Sequence, residues 1–257
     1  MTAVTSARVG RRVKVSNDGL KQGGGSVALA LVALVAWQIA SGLTFVIPTP
    51  LETGQALFTN LGGARYREDL WATAVAVAMA FVIGTSIGGV IGLLLGLSRV
   101  LRLIFEPLVI ALNGIPKIVL YPVLLPIFQL SGSKVVMGVL FALFPVLINV
   151  STGVRELPHV YWKLGRSVEA SWLQMLVHII WPGIRRPLLT GVRLAVSLSV
   201  VGVVLSEFFA TRRGLGRVVL QAYGHGDYPQ MVATIMLLIV VSFTISILLW
   251  RWEKRLR

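Results

Sequence analysis

Residues 70–97 read LWATAVAVAMAFVIGTSIGGVIGLLLGL, a run of 28 residues without a charged side chain. Since a helix needs roughly 20 apolar residues to cross a bilayer, this run predicts a membrane-spanning helix. The whole chain is of the same character: 56% of its 257 residues are hydrophobic, 13% are charged, and the mean hydropathy is +0.82. Such a composition excludes a water-solvated globular domain and indicates a polytopic membrane protein.

Apolar runs predict six spans, at residues 27–47, 70–97, 104–128, 135–151, 188–210 and 231–250. The predicted fold is therefore all-α, with a six-helix membrane domain over residues 27–250. A basic tail, residues 1–26, precedes this domain, and a short tail, residues 251–257, follows it. The first run is longer than a signal-peptide core of roughly 7–15 residues and lacks a cleavage site after it, so it is interpreted as a span.

Loop charges predict how the spans are oriented. With the N-terminus inside, 16 of the 24 Lys and Arg residues lie on the cytoplasmic side, 6 lie outside and 2 lie within spans. The outer six are Arg65, Arg67, Lys134, Arg212, Arg213 and Arg217. Because positive residues accumulate in cytoplasmic loops, both termini are predicted to be cytoplasmic, in a multi-pass protein of the plasma or inner membrane. The same topology explains the net charge of +14 without nucleic-acid binding.

Four glycines recur at every fourth position of the second span: Gly84, Gly88, Gly92 and Gly96. At about 100° per residue this spacing gives a stripe without side chains along one helix face. Small-residue stripes allow close helix contact inside lipid, where van der Waals packing stabilises association. The stripe therefore predicts a tightly packed neighbouring helix.

The third span contains four prolines, at positions 107, 116, 122 and 126. Each removes a backbone donor, so the helix is predicted to be broken or kinked. Broken backbone is tolerated in a membrane where it is buried in protein or lines a wet cavity. We therefore expect Asn113, Pro116 and Lys117 to lie along a translocation path, although Lys117 could equally form a structural pair. Glu207, an acid near the outer end of the fifth span, is the fourth candidate path residue.

The loop between spans four and five, residues 152–187, is about 35 residues long, much longer than usual helix connections. Within it, apolar side chains three or four residues apart predict one amphipathic helix from Tyr161 to Ile180. This helix could lie on the lipid surface or dock a partner protein.

The sequence carries no recognisable catalytic chemistry. It has no Cys, and its three histidines (His159, His178 and His225) lack metal-ligand spacing. A phosphate-binding loop and a nucleophile elbow are also missing from the sequence. We therefore expect neither an enzyme nor a metal or cofactor site on this chain.

The long loop resembles a signature of the permease subunits of bacterial ABC importers: E-A-A, three residues, Gly, nine residues, then I-x-L-P. Aligned on Ile179 and Pro182, the chain has Lys163, Leu164 and Gly165 at the E-A-A positions, Glu169 at the Gly and Trp181 at the Leu. Other segments follow the order of the branch that includes nitrate, sulfonate, taurine and thiamine-precursor systems. They are Ile47-Pro48-Thr49-Pro50, residues 92–98, Gly114-Ile115-Pro116, Tyr121-Pro122, Phe144-Pro145, Ser206-Glu207 and Gly214-Leu215-Gly216.

The resemblance covers residues 47–250 and implies a type I importer permease fold without catalysis on this chain. It implies three partners: a second permease copy, a cytoplasmic ATPase that binds ATP and Mg²⁺, and an extracytoplasmic substrate-binding protein. The residues expected to couple to the ATPase are Gly165, Arg166, Ser167, Glu169, Ala170, Ser171, Ile179 and Pro182. The departure at Glu169 implies a docking surface of different shape and charge.

The expected function is passage of a small polar solute into the cytoplasm by alternating access. The Lys117 charge favours an anion of the sulfonate or nitrate kind. The alternatives are an ion-coupled secondary transporter and a membrane scaffold that transports nothing. Inverted repeats and intramembrane ion sites, which are frequent in secondary transporters, are not evident in the sequence.

Overall fold

A computed structural model of the protein describes residues 18–209 and 211–255, and within them all regular structure is helical. In chain order the helices are α1 (Asp18–Leu43), α2 (Pro50–Gly62), α3 (Ala64–Leu97), α4 (Arg99–Gly114), α5 (Tyr121–Arg155), α6 (His159–Ser167), α7 (Trp172–Met175), α8 (Trp181–Glu207), α9 (Leu215–Gly224) and α10 (Tyr228–Arg255). A 3₁₀ turn, Lys117–Leu120, precedes α5, and a π-helical turn, Leu176–Ile180, leads into α8. The predicted all-α fold is confirmed.

The chain divides into two compact units, residues 1–51 and 52–257. In the first unit, α1 ends at Leu43, four residues before the predicted end of the first span, and it begins at Asp18, inside the predicted tail. The rest of that tail, residues 1–17, lies outside the described residues. The indole N–H of Trp37 donates to the Pro48 carbonyl oxygen over 3.0 Å, which closes the turn after α1.

Four helical stretches are long and apolar enough to cross a membrane: Ala64–Leu97, Lys117–Arg155, Trp172–Glu207 and Tyr228–Arg251. A shorter apolar stretch, Ala28–Leu43, lies in α1. The observed helices extend past the predicted second, fifth and sixth spans at one end or both. The count of six spans stays a prediction. One of the four long stretches contains a sharp bend.

The bend lies at Gln129, whose φ of 59° and ψ of −177° are not helical. Four residues later, the Ser133 hydroxyl donates to the Leu124 carbonyl oxygen over 3.0 Å. In a straight helix these two residues would be separated by about 14 Å along the axis. The chain therefore turns back at the boundary predicted between the third and fourth spans, and residues 130–155 form a separate helical segment of α5.

The break predicted in the third span is confirmed. Helix α4 ends at Gly114, and Ile115 and Pro116 are extended, with ψ values of 133° and 99°. Because Pro116 has no N–H and fixes its own φ, the helix cannot continue through it. The following 3₁₀ turn begins at Lys117, so the break positions that side chain.

The glycine stripe of α3 lies against α5. A Cβ at Gly88 would be 2.5 Å from the Leu143 carbonyl oxygen, and one at Gly92 would be 2.6 Å from that of Leu147. Gly84 and Gly96 meet Ala142 and Val154 in the same way. These distances are shorter than any real Cβ contact, so α3 and α5 approach each other closely because the face that α3 presents to α5 lacks side chains.

Helix α8 packs on the other side of α5, and glycines again allow the close contact. A Cβ at Gly191 would lie 3.0 Å from the Pro145 carbonyl oxygen, and one at Gly202 would lie 2.9 Å from the Cα of Gly138. A buried apolar core of Ala142, Val146, Val150, Val154, Leu157, Ile180, Ile184 and Ala195 fills this contact. The second segment of α5 is therefore the central helix, held between α3 and α8.

Candidate functional site

Lys117 lies directly after the break, with its ammonium held by polar and aromatic groups. Its Nζ donates to the backbone oxygen and to Oδ1 of Asn113, at 3.2 Å each. The same nitrogen is 4.8 Å from the ring centroid of Phe144 and 5.5 Å from that of Phe141, within the range of a cation–π interaction. The structure thus brings Asn113, Pro116 and Lys117 together. Among the described residues, no acidic side chain pairs with the ammonium.

Glu207 lies in a different environment. Its side chain is fully buried, and Lys134 Nζ lies 3.1 Å from its Oε1. The Thr73 hydroxyl lies 3.0 Å from both carboxylate oxygens, and the Gly216 N–H donates to Oε2 over 2.9 Å. A carboxylate that is 1% exposed and fully bonded does not line an open path in this structure. Glu207 thus forms a buried ion pair in this structure, and its assignment to the path stays a prediction.

Lys134 also differs from its prediction. The sequence predicts an external loop charge, whereas the structure places Lys134 in the first turns of the second segment of α5 and 7% exposed. Besides Glu207, its ammonium donates to the carbonyl oxygens of Arg213 and Ala72, at 3.2 and 3.4 Å. The three donors of the ammonium thus have three acceptors, which compensates for the loss of water around the charge.

A second ion pair continues this network to α9. Arg217 Nη2 lies 3.2 Å from Asp69 Oδ2, and the Gly214 N–H donates to Asp69 Oδ1 over 2.8 Å. The Leu215 N–H donates to the Thr73 hydroxyl over 2.8 Å. Asp69 and Glu207 therefore satisfy backbone donors at the start of α9, where the helix dipole favours negative charge. Gly214 has a φ of +145° and faces the Glu207 carboxylate so closely that no side chain would fit.

The predicted single helix from Tyr161 to Ile180 is wrong, because the chain turns between α6 and α7. Glu169 adopts a φ of +50°, in the left-handed region that L-residues with a Cβ avoid. The Ala170 N–H donates to the Gly165 carbonyl oxygen over 2.9 Å, and the Glu169 N–H donates to that of Arg166 over 3.1 Å. These two bonds define a Schellman motif with Glu169 at the position that glycine usually occupies.

The start of α7 is capped from both directions. The Ser171 hydroxyl accepts from the Gln174 N–H over 3.4 Å, and Gln174 Oε1 accepts from the Ser171 N–H over 2.8 Å. Under the turn, Gly165 is buried, and a Cβ there would overlap Met175 Sδ. Gly165 thus lets α6 and α7 pack together, whereas Arg166, Ser167, Glu169 and Ser171 are exposed. Ala170, Ile179 and Pro182 are half-buried.

Across residues 18–209 and 211–255, no three His, Asp or Glu side chains lie close enough to share an ion.

Residues 84–257, about two thirds of the chain, match the model of a known protein family, described as the inner membrane component of binding-protein-dependent transport systems. The chain belongs to this family. The break, the bend and the turn between α6 and α7 are therefore features of an importer permease.

Relatives of this permease support the same assignment. A probable ABC transporter permease protein of Haemophilus influenzae is 28% identical, over 86% of this chain and 93% of the relative. A putative aliphatic sulfonates transport permease of Bacillus subtilis is 26% identical, over 83% of this chain and 79% of the relative. Further relatives are named as permeases for taurine, nitrate and bicarbonate.

The fold of the permease also matches a solved structure. A chain of the inward-facing MetNI methionine ABC transporter superposes with a TM-score of 0.66, at 18% sequence identity. The superposition covers 75% of this chain and 96% of that chain. The type I ABC importer permease fold predicted from the sequence is therefore confirmed.

Sequence reasoning missed the network around Glu207. Asp69, Thr73, Lys134 and Arg217 are scattered over 149 positions, and each has an ordinary explanation as a residue at the end of a span. One signal was available: Asp69 and Thr73 are four residues apart and so share one helix face. That spacing indicates a polar face on α3, but it does not identify the partners.

Proposed function

We propose that this permease passes a small oxyanion of the sulfonate or nitrate class into the cytoplasm by alternating access. The names of its relatives include sulfonates, taurine, nitrate and bicarbonate. Lys117 adds a positive charge beside the mid-span break, where a partly dehydrated anion would be stabilised more strongly than in bulk water. The solute class rests on these two observations together.

The proposed assembly contains two copies of the permease, a cytoplasmic ATPase and an extracytoplasmic binding protein. ATP and Mg²⁺ would bind to the ATPase, and this chain would hold no cofactor and perform no hydrolysis. Both termini and the loop of residues 152–187 would face the cytoplasm, following the charge distribution of the loops.

The observation that carries the proposal is the rigid turn between α6 and α7. The Schellman motif and the reciprocal cap of Ser171 and Gln174 fix the backbone on both sides of the turn, while the side chains of Arg166, Ser167 and Glu169 remain exposed. A surface that is ordered internally and open externally suits docking to another protein, because little conformational entropy is lost on binding.

The packing around α5 supplies a path for coupling. Helix α7 and the π-helical turn Leu176–Ile180 join the turn of residues 165–171, the docking turn, to α8 without a break. At Gly191 and Gly202 the backbone of α8 lies close to that of α5. A displacement of the turn by the ATPase would therefore move α8 and α5 together. The free energy for transport would enter as the difference in ATPase affinity between two conformations of the permease.

The test of this function uses the complete importer, purified with its ATPase and binding protein in proteoliposomes. Ser167→Arg places a bulky charge on the exposed turn and is expected to reduce binding-protein-stimulated ATP hydrolysis at least tenfold. Arg251→Glu changes an exposed charge at the end of α10 and should retain the activity. Equal stimulation in wild type and Ser167→Arg would overturn the assignment of the turn to ATPase docking.

A further inference from the structure

A polar cavity of about 320 Å³ lies among α2, α3, α9 and α10. It is located near the N-terminal end of α3, around Tyr66. The C-terminal end of α3 contacts Val154, at the end of α5 that leads through α6 to the docking turn. The 30 residues between Tyr66 and Gly96 rise by about 45 Å. The cavity therefore lies at the end of the bundle that faces away from the ATPase.

Two hydrogen-bond donors at this cavity have no acceptor. Among the described residues, Asn60 Nδ2 and Arg217 Nε are the two buried side-chain nitrogens without a hydrogen-bond partner, and both residues line the cavity. Asn60 Oδ1 accepts from Gln230 Nε2 over 3.3 Å, so the contact with Gln230 uses the amide oxygen and leaves the amide nitrogen unpaired. A buried donor without an acceptor costs free energy, because it has lost its hydrogen bonds to water. An acceptor bound beside each of these two nitrogens would therefore be stabilised.

The neighbouring acceptor is already in use. Both oxygens of Asp69 accept from Arg217 Nη2, and Asp69 Oδ1 also accepts from the Gly214 N–H. The Tyr66 hydroxyl, which also lines the cavity, donates to Thr234 over 3.2 Å. The remaining charges of the lining, Arg65 and Arg217 against Asp69, sum to one positive charge. The cavity thus has an excess of both donors and positive charge.

From this excess we infer that the cavity binds one small oxyanion group, of carboxylate or sulfonate size, through Arg217 Nε and Asn60 Nδ2. An oxyanion supplies two acceptor atoms for the two unpaired donors and one negative charge for the one excess positive charge. The group could be a free anion of the transported class or a carboxylate side chain of the extracytoplasmic binding protein. The identity of these two sources rests on the proposed function, whereas the anion site itself does not.

The free-anion source is tested with the full chain in lipid nanodiscs. Sodium methanesulfonate is titrated at constant ionic strength, and the midpoint of thermal unfolding is measured. Saturable stabilisation is expected in wild type. Asn60→Asp keeps the size of the side chain but replaces the donor with a carboxylate. Arg217→Lys keeps the charge but removes Nε. Each variant should weaken the apparent affinity for methanesulfonate at least tenfold. Arg212→Gln removes an external charge outside the cavity and should leave the affinity unchanged.

The side-chain source is tested by the affinity of the same nanodiscs for the purified binding protein. If a side chain supplies the carboxylate, methanesulfonate gives no saturation on the chain alone, but Asn60→Asp and Arg217→Lys each weaken this complex at least tenfold and Arg212→Gln does not.

Two results would overturn the anion site. One is the absence of any effect of Asn60→Asp in both measurements, which does not depend on whether Arg217→Lys folds. The other is methanesulfonate binding that survives Asn60→Asp and is lost in Lys117→Met, because it would place the anion on the translocation path and leave the proposed function standing.

Discussion

Lys134 Nζ and Glu207 Oε1 lie 3.1 Å apart, and 9% of the lysine side chain and none of the glutamate side chain is exposed. The pair joins the second segment of α5 to the last residue of α8, and both partners bond to the segment of residues 213–216 that starts α9. One ion pair therefore ties together two long helices and the connection that leads to α10.

Breaking this pair from one side should destabilise the permease strongly. In Lys134→Ala the Glu207 carboxylate stays buried without its cation, at a cost of roughly 3–5 kcal/mol. We expect a clear fall in the thermal unfolding midpoint of the purified chain. The double variant Lys134→Met/Glu207→Gln removes both charges. Its loss of unfolding free energy should be smaller than the sum of the losses in Lys134→Met and Glu207→Gln measured singly. Additive effects would show that the two side chains do not interact.

The contact of α3 with α5 predicts opposite effects at two adjacent glycines. Gly88→Ala places a Cβ against the Leu143 carbonyl oxygen, and such overpacking costs about 1–3 kcal/mol. Gly89 has no atom within 4 Å of a built Cβ, so Gly89→Ala should stabilise the helix by up to about 1 kcal/mol through helix propensity. Thermal unfolding of the two variants in one detergent compares them, and equal midpoints would contradict the close contact.

Local patterns of the sequence predicted the helices, the break at Pro116 and the glycine stripe, because each depends on residues close together in the chain. The turn at Glu169 was not predicted, because the apolar side chains of residues 164–179 recur every three or four residues, as in one continuous helix. The tertiary contact of Gly165 with Met175 and the cap at Ser171 override that periodicity. The pairing of Lys134 with Glu207 could not be predicted, because it depends on which faces of α5 and α8 meet.

Glu169→Gly should stabilise the docking turn. A left-handed conformation costs a residue with a Cβ about 1–2 kcal/mol, and the greater freedom of glycine in the unfolded chain offsets about 0.5–1 kcal/mol of that relief. Hydrogen exchange of the Glu169 and Ala170 amides, the two Schellman donors, should slow by several fold. Ser167→Gly, at the last helical position of α6 two residues earlier, should speed the same exchange. Faster exchange in Glu169→Gly would contradict the strained turn.

The orientation of the spans follows from the charge bias of the loops. Reporter domains fused after Arg257 and inserted within residues 152–187 should both give cytoplasmic signals, because positively charged loops are retained on that side. A reporter inserted between α2 and α3, after Gly62, should give an extracytoplasmic signal. A periplasmic signal from either of the first two fusions would reverse the topology and move the polar cavity to the cytoplasmic side.

Lys117 provides the most direct test of an anionic solute. At 4 Å, two unit charges interact by about 1 kcal/mol in bulk water and by about 4 kcal/mol where the effective dielectric constant is near 20, so the ammonium matters most in a partly dehydrated path. Asn113 and the rings of Phe141 and Phe144 hold the charge in place without neutralising it.

Lys117→Met keeps the length and the apolar stem of the side chain but removes the charge, whereas Lys117→Arg keeps the charge. Uptake of radiolabelled nitrate or sulfonate by the complete importer in proteoliposomes should fall at least tenfold in Lys117→Met, because the anion loses roughly 1.4 kcal/mol or more of stabilisation at mid-path. Lys117→Arg should retain part of the uptake, and basal ATP hydrolysis should be intact in both variants. Wild-type uptake by Lys117→Met would return Lys117 to a purely structural role, in which its contacts with Asn113 and Phe144 stabilise the broken helix.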